Sequence, residues 1–391
     1  MTTSKVAAAP AETGRADRSL RSAFLGAMPT WVGSRVAVAL VALLVGWTES
    51  ARAGDVEPWS KLWARWDAEL IRKVAEHGYF AYPEKYEDSA LEAVFPGMPL
   101  LLRFTNLFVD EWTRSGLLIT FVAGAVTSTC LWRMAADENG PEAGDRAVLY
   151  LVFTPYAVFF FAGYSEMPWL AFAVAAWLAA RRGNWWLAGL LGFGAGVIRV
   201  NGVLLAIGLV VEYFTAGRAR RGGRLVDIDA GALVLPFAGT ASYVIWLHSK
   251  TGSWRAYQEA QERGWGRTVG PPWEGFTTTL REALSPHQFG AAAWSFRAEL
   301  LSIVVGGVLF LVLLGMRRWG EAAYVGSSVA LLSISSYYQS TARGVLLLFP
   351  LYLVLARATE GLEWLHRAIL WVCAPLMFAL VTVFVSGGWA G

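Results

Sequence analysis

Apolar residues along the 391-residue chain run in blocks of roughly 15 to 22 residues, the length at which an α-helix crosses a bilayer core. Full-length blocks fall at 35–50, 116–133, 146–162, 164–181, 227–248, 299–316, 320–337, 344–357 and 366–386, which predicts nine membrane spans. Alternating ten-residue segments are absent, which excludes a membrane β-barrel. Two shorter blocks, 184–198 and 203–214, are separated by the polar break Arg199-Val200-Asn201-Gly202. They read as a helix pair that turns inside the membrane, where protein or a polar cavity must shelter the open backbone. A further short block at 93–109 starts with Phe95-Pro96, contains Arg103, and is expected to lie in or dip into the outer leaflet. The pattern describes an all-α polytopic membrane protein with nine full spans plus partial helices. No repeat of fixed period suggests an inverted-repeat transporter.

Charge orients this framework. Arg133, Arg146, Arg181, Arg182, Arg218, Arg220, Arg221, Arg224, Arg317, Arg318, Arg357 and Arg367 fall in five short loops, whereas the short loops between them hold only Arg343. The basic loops are expected on the cytoplasmic side. Residues 1–30, rich in Ala, Arg and Ser, are expected to be a disordered cytoplasmic tail, followed by a single membrane domain over 31–391. Two long segments, 51–115 and 249–298, then face outward. Only 16% of residues are charged and 55% are hydrophobic, too little polar cover for a soluble enzyme of this length. A net charge of +3 implies no nucleic-acid partner. Cys130 and Cys373 lie inside apolar blocks and suggest neither a disulfide framework nor a metal site. Many of the 20 tryptophans are expected in interfacial belts.

Charges set against this hydrophobic cost carry the candidate chemistry. The segment 62–80 reads as a helix along the membrane surface, with Trp63, Trp66, Leu70, Ile71 and Val74 on its apolar stripe. Asp67 adjoins the anchor Trp66 at the water boundary, where a carboxylate can serve as a general base; it can equally be a solvated acid, as Glu69 and Glu76 are read. Tyr164-Ser165-Glu166 forms an outer turn that Pro168 continues into a helix. Ser165 and Glu166 there suit either a capped helix start or the edge of an outer cavity. Arg199 sits at a helix break, where a membrane-buried charge normally faces a cavity, together with Asn201. Arg343 follows a polar run at the outer end of a span and is otherwise a snorkelling interfacial arginine. Two arginines suit phosphate oxygens and two carboxylates can take a proton. Trp254, Tyr257, Gln261 and Trp265 mix aromatic faces and amides, as sugar recognition does and as an ordinary interfacial loop also does. Asp67, Glu166 and His77 could gather around a divalent metal, although no spacing requires one. No phosphate loop, HExxH or CxxC signal is present. The run Gly189, Gly192, Gly194 and Gly196 reads as close helix packing rather than a nucleotide loop.

Five stretches resemble those of the GPI mannosyltransferase 2 (PIG-V) family and its bacterial relatives. They are RWDAELIRKVAEHGY at 65–79, AVFPGMPLLLR at 93–103, FAGYSEMPWL at 161–170, VIRVNGVLL at 197–205 and STARGVLLLFPLYLVLA at 340–356. Ala68-Glu69-Leu70 and the single Phe95 depart from that family's pattern. The resemblance implies a GT-C-type bundle that uses a polyprenyl-phosphate sugar, typically mannose, with a catalytic acid in the first outer loop at Asp67. The acceptor is expected to be a glycolipid or glycan hydroxyl at the outer face of a bacterial plasma membrane. On this view Asp67 and Glu166 are the catalytic candidates, and Arg199 and Arg343 the donor-phosphate ligands. Trp66, His77, Tyr164, Asn201, Trp254 and Gln261 are the substrate-binding candidates. A transporter or flippase of lipid-linked sugars, or an inactive partner subunit, would carry a similar set of buried charges.

Overall fold

The computed structural model describes residues 19–53, 58–81, 90–220, 222–285 and 291–391. Among these the chain is helical, with one isolated antiparallel bridge between Val269 and Ser335. In chain order the helices are α1 (Leu20–Ala53), α2 (Asp67–His77), α3 (Gly97–Val109), α4 (Trp112–Asn139), α5 (Pro141–Val152) and α6 (Glu166–Arg181). Then come α7 (Trp185–Ile198), α8 (Gly202–Phe214), α9 (Ala216–Arg220), α10 (Val234–Thr251), α11 (Ala256–Trp265) and α12 (Pro272–Leu284). The last are α13 (Ala291–Gly315), α14 (Trp319–Ser333), α15 (Thr341–Leu346), α16 (Pro350–Ala358) and α17 (Glu363–Val385).

The span count differs from the hydropathy pattern. Among the described residues six helical stretches are long and apolar enough to cross a membrane: Leu20–Ala51, Trp112–Asn139, Gly202–Ala219, Ile228–Thr251, Ala293–Gly315 and Glu363–Val385. Four of the nine expected spans are shorter, and proline explains two of them. Pro155 follows the end of α5, and a 3-10 turn at Ala157–Phe160 completes the block 146–162. Pro350 opens α16 and splits 344–357 from the short α15. The blocks 164–181 and 320–337 yield the 16-residue α6 and the 15-residue α14. The α14 chain then turns to meet 268–270, where Gly270 N–H donates to the Ile334 carbonyl at 2.8 Å. α1 begins at Leu20, so the part of the expected disordered tail from Leu20 onward is helix. Residues 1–18 of that tail lie outside the described residues.

Packing follows side-chain size. The core forms where α1, α4, α5, α6 and α16 meet. Trp31, Trp63, Trp169, Trp177 and Trp185 are fully buried in it, so these tryptophans fill the interior instead of an interfacial belt. Gly124 admits the Trp31 ring, which a Cβ there would meet at 2.0 Å. α3 is too short to span and leaves Leu100, Phe104, Leu107 and Phe108 exposed, as an interfacial helix would. Arg103 Nε on α3 donates to the Ala75 carbonyl at the end of α2, at 2.8 Å.

Two ion clusters mark opposite ends of α6. At its C-terminal end Arg181 pairs with Glu138 and Glu321, both at 2.6 Å, and Arg318 joins the same two acids. Three of the basic loops therefore share one end of the bundle, as their charge pattern requires. Glu166 begins the helix roughly 23 Å away at 1.5 Å per residue. The break between α7 and α8 is equally compact. Arg199 is extended, at φ −153° and ψ 152°. A Cβ on Gly202 would lie 2.3 Å from the Gly196 Cα, and one on Gly196 would lie 2.7 Å from the Pro236 carbonyl oxygen. The Gly-rich run is thus a packing surface. Gly202→Val is expected to cost at least about 1–3 kcal/mol through overpacking. Thermal unfolding in detergent checks this, and an unchanged Tm would mean that the turn is open.

Candidate active site

Four short, distant segments place their charges side by side. Glu166, the first residue of α6, is fully buried. Its Oε1 accepts from Arg343 Nε at 3.0 Å and Nη2 at 2.6 Å, and lies 3.1 Å from Arg199 Nη1. The same Arg343 Nη2 lies 2.8 Å from Asp67 Oδ2. Asp67, Arg343, Glu166 and Arg199 thus form one continuous chain of ion pairs. Each is supplied by a local device. Asp67 opens α2 directly after Trp66, whose φ of 53° and ψ of −122° lie where non-glycine residues pay about 1–3 kcal/mol of strain. Arg199 is aimed by the extended α7–α8 break. Ser165 does not cap α6 with its side chain; its Oγ instead accepts from Arg199 Nη1 at 2.6 Å.

Arg343 sits on α15, whose N-terminus is held by the buried Glu299. That carboxylate accepts the N–H groups of Ser340 at 2.6 Å, Thr341 at 2.6 Å and Ala342 at 3.1 Å, together with the Thr341 hydroxyl. The Arg343 guanidinium is boxed by aromatic faces, 4.6 Å from the Phe159 ring centroid, 4.9 Å from Tyr164 and 5.9 Å from Trp389. Such cation–π contacts, desolvated, add to its hold.

A cavity of about 650 Å³ opens on this chain. Asp67, Ser165, Arg199, Asn201 and Arg343 line it. Trp254, Tyr257, Gln261, Trp265 and Arg267 line it as well, while Phe95, Met98 and Ile198 add apolar surface. Gln261 Nε2 donates to the Tyr257 hydroxyl at 3.4 Å, and the exposed Trp254 stacks on His248 at 3.8 Å. Arg267 Nη2 donates to the Gln339 carbonyl. Burial pulls the Arg267 guanidinium below its ordinary value, and Arg343 adds repulsion, against the opposing pull of Tyr257 and Glu299. Burial likewise pushes the Tyr257 phenol up, against the pull of Arg199 and Arg267.

The sequence candidates therefore separate. Asp67, Arg199, Asn201, Trp254, Gln261 and Arg343 line the cavity. Glu166 lies behind its wall, without solvent access, and so is not placed to touch an acceptor. Tyr164 is also fully buried, under Arg343, and its hydroxyl donates to the Arg65 carbonyl at 3.2 Å. Trp66 projects outward against Trp389, with ring centroids 5.3 Å apart, and Trp63 is a core residue, so the two do not share one helical stripe. His77 ends α2, roughly 15 Å along the axis from Asp67. Asp67, Glu166 and His77 consequently do not assemble around a metal, and among the described residues no group of three acidic, histidine or cysteine side chains does. Arg267 and Glu299 are not among the candidates read from the sequence. Arg267 lies in the polar segment 249–298, where a charge does not stand out, whereas Glu299 opens an apolar block, where an acid does.

No family model matches the chain. It is 33% identical over 162 residues to the GPI α-1,6-mannosyltransferase 2 of Rattus norvegicus, a match covering 38% of this chain and 31% of the relative. The Homo sapiens protein of the same name is 31% identical over 160 residues. The chain thus spans about a third of the length of the curated relatives it matches. The crystal structure of ArnT from Cupriavidus metallidurans bound to undecaprenyl phosphate superposes with a TM-score of 0.51 at 15% identity, over 88% of this chain and 62% of that one. The chain has a GT-C-like fold. Its resemblance to GPI mannosyltransferase 2 is therefore accompanied by the bundle that the resemblance implies.

Removing the carboxylate between the two arginines tests the ion chain. Glu166→Ala leaves Arg343 and Arg199 short of their shared partner, and breaking a buried pair costs about 3–5 kcal/mol. Denaturant unfolding in micelles is expected to show a loss of that order. A wild-type midpoint would mean that water already solvates the arginines.

Proposed function

We propose that the protein is a membrane glycosyltransferase that moves a mannose-like sugar from a polyprenyl monophosphate to an acceptor hydroxyl. The observation that carries this is the placement of Asp67. Its carboxylate lines a large cavity and is held at 2.8 Å by Arg343, in a chain with a GT-C-like fold and similarity to mannosyltransferases. ArnT's bound undecaprenyl phosphate supports a lipid-phosphate donor here. The basic loops gathered at the far end of α6 favour an outward-facing site.

In the proposed reaction Asp67 accepts the proton of the acceptor hydroxyl as its oxygen attacks the anomeric carbon. The bond from that carbon to the phosphate oxygen breaks, and its electron pair stays on the phosphate. Attack from the face opposite the leaving group inverts the centre. Arg343 orients the base, because its Nη2 is shared between Asp67 and Glu166. Glu166 acts through the two arginines, as a positioning residue. Arg199 uses Nη1 on Ser165 and Glu166, which leaves its other nitrogens for the cavity and for charge growing on the departing phosphate. Asn201, Gln261 and Trp254 offer amides and an aromatic face to the sugars. The chain of the lipid donor lies along the apolar side of the cavity beside α3.

General base catalysis contributes about 10²–10⁴-fold. Asp67→Asn is therefore expected to lower kcat by that range in proteoliposomes given radiolabelled polyprenyl-phosphate mannose and a glycolipid acceptor, with donor binding retained. Transfer at the wild-type rate would remove Asp67 from the chemistry. Movement of the lipid-linked sugar between leaflets, without transfer, would favour a flippase instead.

A further inference from the structure

Among the described residues, one arginine on the cavity wall has no carboxylate within ion-pair distance. Asp67 and Glu166 are matched by Arg343 and Arg199. The other nearby acids are engaged elsewhere. Glu262 lies 3.7 Å from Arg255, and Glu92 pairs with Arg263 at 3.1 Å. Glu299 accepts hydrogen bonds from the backbone N–H groups that begin α15 and attracts Arg267 only through space, without an ion-pair contact. Arg267 remains. Its Nη2 bonds only a neutral carbonyl, that of Gln339, and its Nε is buried with no hydrogen-bond partner. A buried charged donor left unmade costs more than an ordinary lost hydrogen bond. The Nε itself is out of reach of a ligand, but Arg267 as a whole lines the cavity, and a guanidinium there without a carboxylate partner suits an entering anion.

The position is also specific. Arg267 and Arg199 both line the cavity, and the Tyr257 phenol feels both guanidiniums. Arg343, by contrast, is nearly inaccessible, with its Nε and Nη2 both committed to carboxylates.

We propose that Arg267 binds the phosphate of the lipid-linked donor and of the lipid monophosphate product, while Arg343 serves Asp67 and does not touch phosphate. This rests on the glycosyltransferase reading above and names a ligand that reading left open. As the sugar leaves, the phosphate passes from a diester monoanion toward a monoester dianion. A guanidinium fixed beside it stabilises the product side more than the substrate side.

The test uses the purified full-length protein in detergent, with undecaprenyl phosphate and undecaprenol as probes. Their affinity ratio isolates the phosphate and is insensitive to a general loosening of the cavity. Wild type is expected to prefer the phosphate by at least about 10-fold, as a charge-assisted hydrogen bond would give. Arg267→Gln should bring the two affinities within about 2-fold of each other, Arg267→Lys should keep part of the preference, and Asp67→Asn should keep it. Arg267→Met repeats the test should the glutamine variant not fold. A wild-type preference that survives in Arg267→Gln or Arg267→Met overturns the assignment and leaves the glycosyltransferase reading standing. The absence of any preference in wild type overturns that reading along with it.

Discussion

A carboxylate with no access to water cannot stay charged alone, and Glu166 is such a carboxylate. Taking an ion out of water costs several kcal/mol even after the protein relaxes, and only well-placed opposite charge repays it. Glu166 meets that demand with two arginines from different parts of the chain. Arg343 extends the chain to Asp67, so the half-buried acid on the cavity is fixed by the fully buried one. The surrounding devices serve the same end. Glu299 anchors α15, the aromatic box confines Arg343, and the crowded Gly196–Gly202 turn fixes where Arg199 leaves the backbone. Each would be an expensive local choice without this shared requirement.

The arrangement also divides labour by depth. Glu166 and Arg343 form an inner pair with little freedom. Asp67 and Arg199 keep contact with the cavity, while each is steered by a member of that pair. Preorganisation of this kind is what a site needs when charge must be met where it develops and water is scarce.

Much of this was legible in the chain because the membrane makes charge expensive. Asp67, Glu166, Arg199 and Arg343 stand out since each sits where an apolar residue would be cheaper. The turn at 199–202 was marked by polar residues for the same reason. Length was less legible: a run of apolar residues reports burial, and burial in a bundle interior looks like burial in lipid. Pro155 and Pro350 signal the breaks, yet their flanks are apolar enough to be read through. Trp63 was misplaced because the helical repeat was carried across the kink at Trp66, where the chain changes direction. Arg267 was hidden for the opposite reason: in a polar segment a charge costs nothing, so composition cannot distinguish a buried cation from a solvated one. Glu299 reads in the sequence as the edge of an apolar block, and only the fold brings it to the start of a helix some forty residues later.

The long sequence interval between Glu166 and its partner has a consequence for how the molecule is made. They are 177 residues apart, so at roughly 5–20 residues per second the acid emerges about 10 to 35 seconds before Arg343. During that time α6 carries an acid that lacks one of its two cations. The helix has reason to delay its final seating, or to hold the acid protonated, until α15 arrives. The site therefore closes late in synthesis, and a nascent chain without its C-terminal segment carries Asp67 with nothing to hold it.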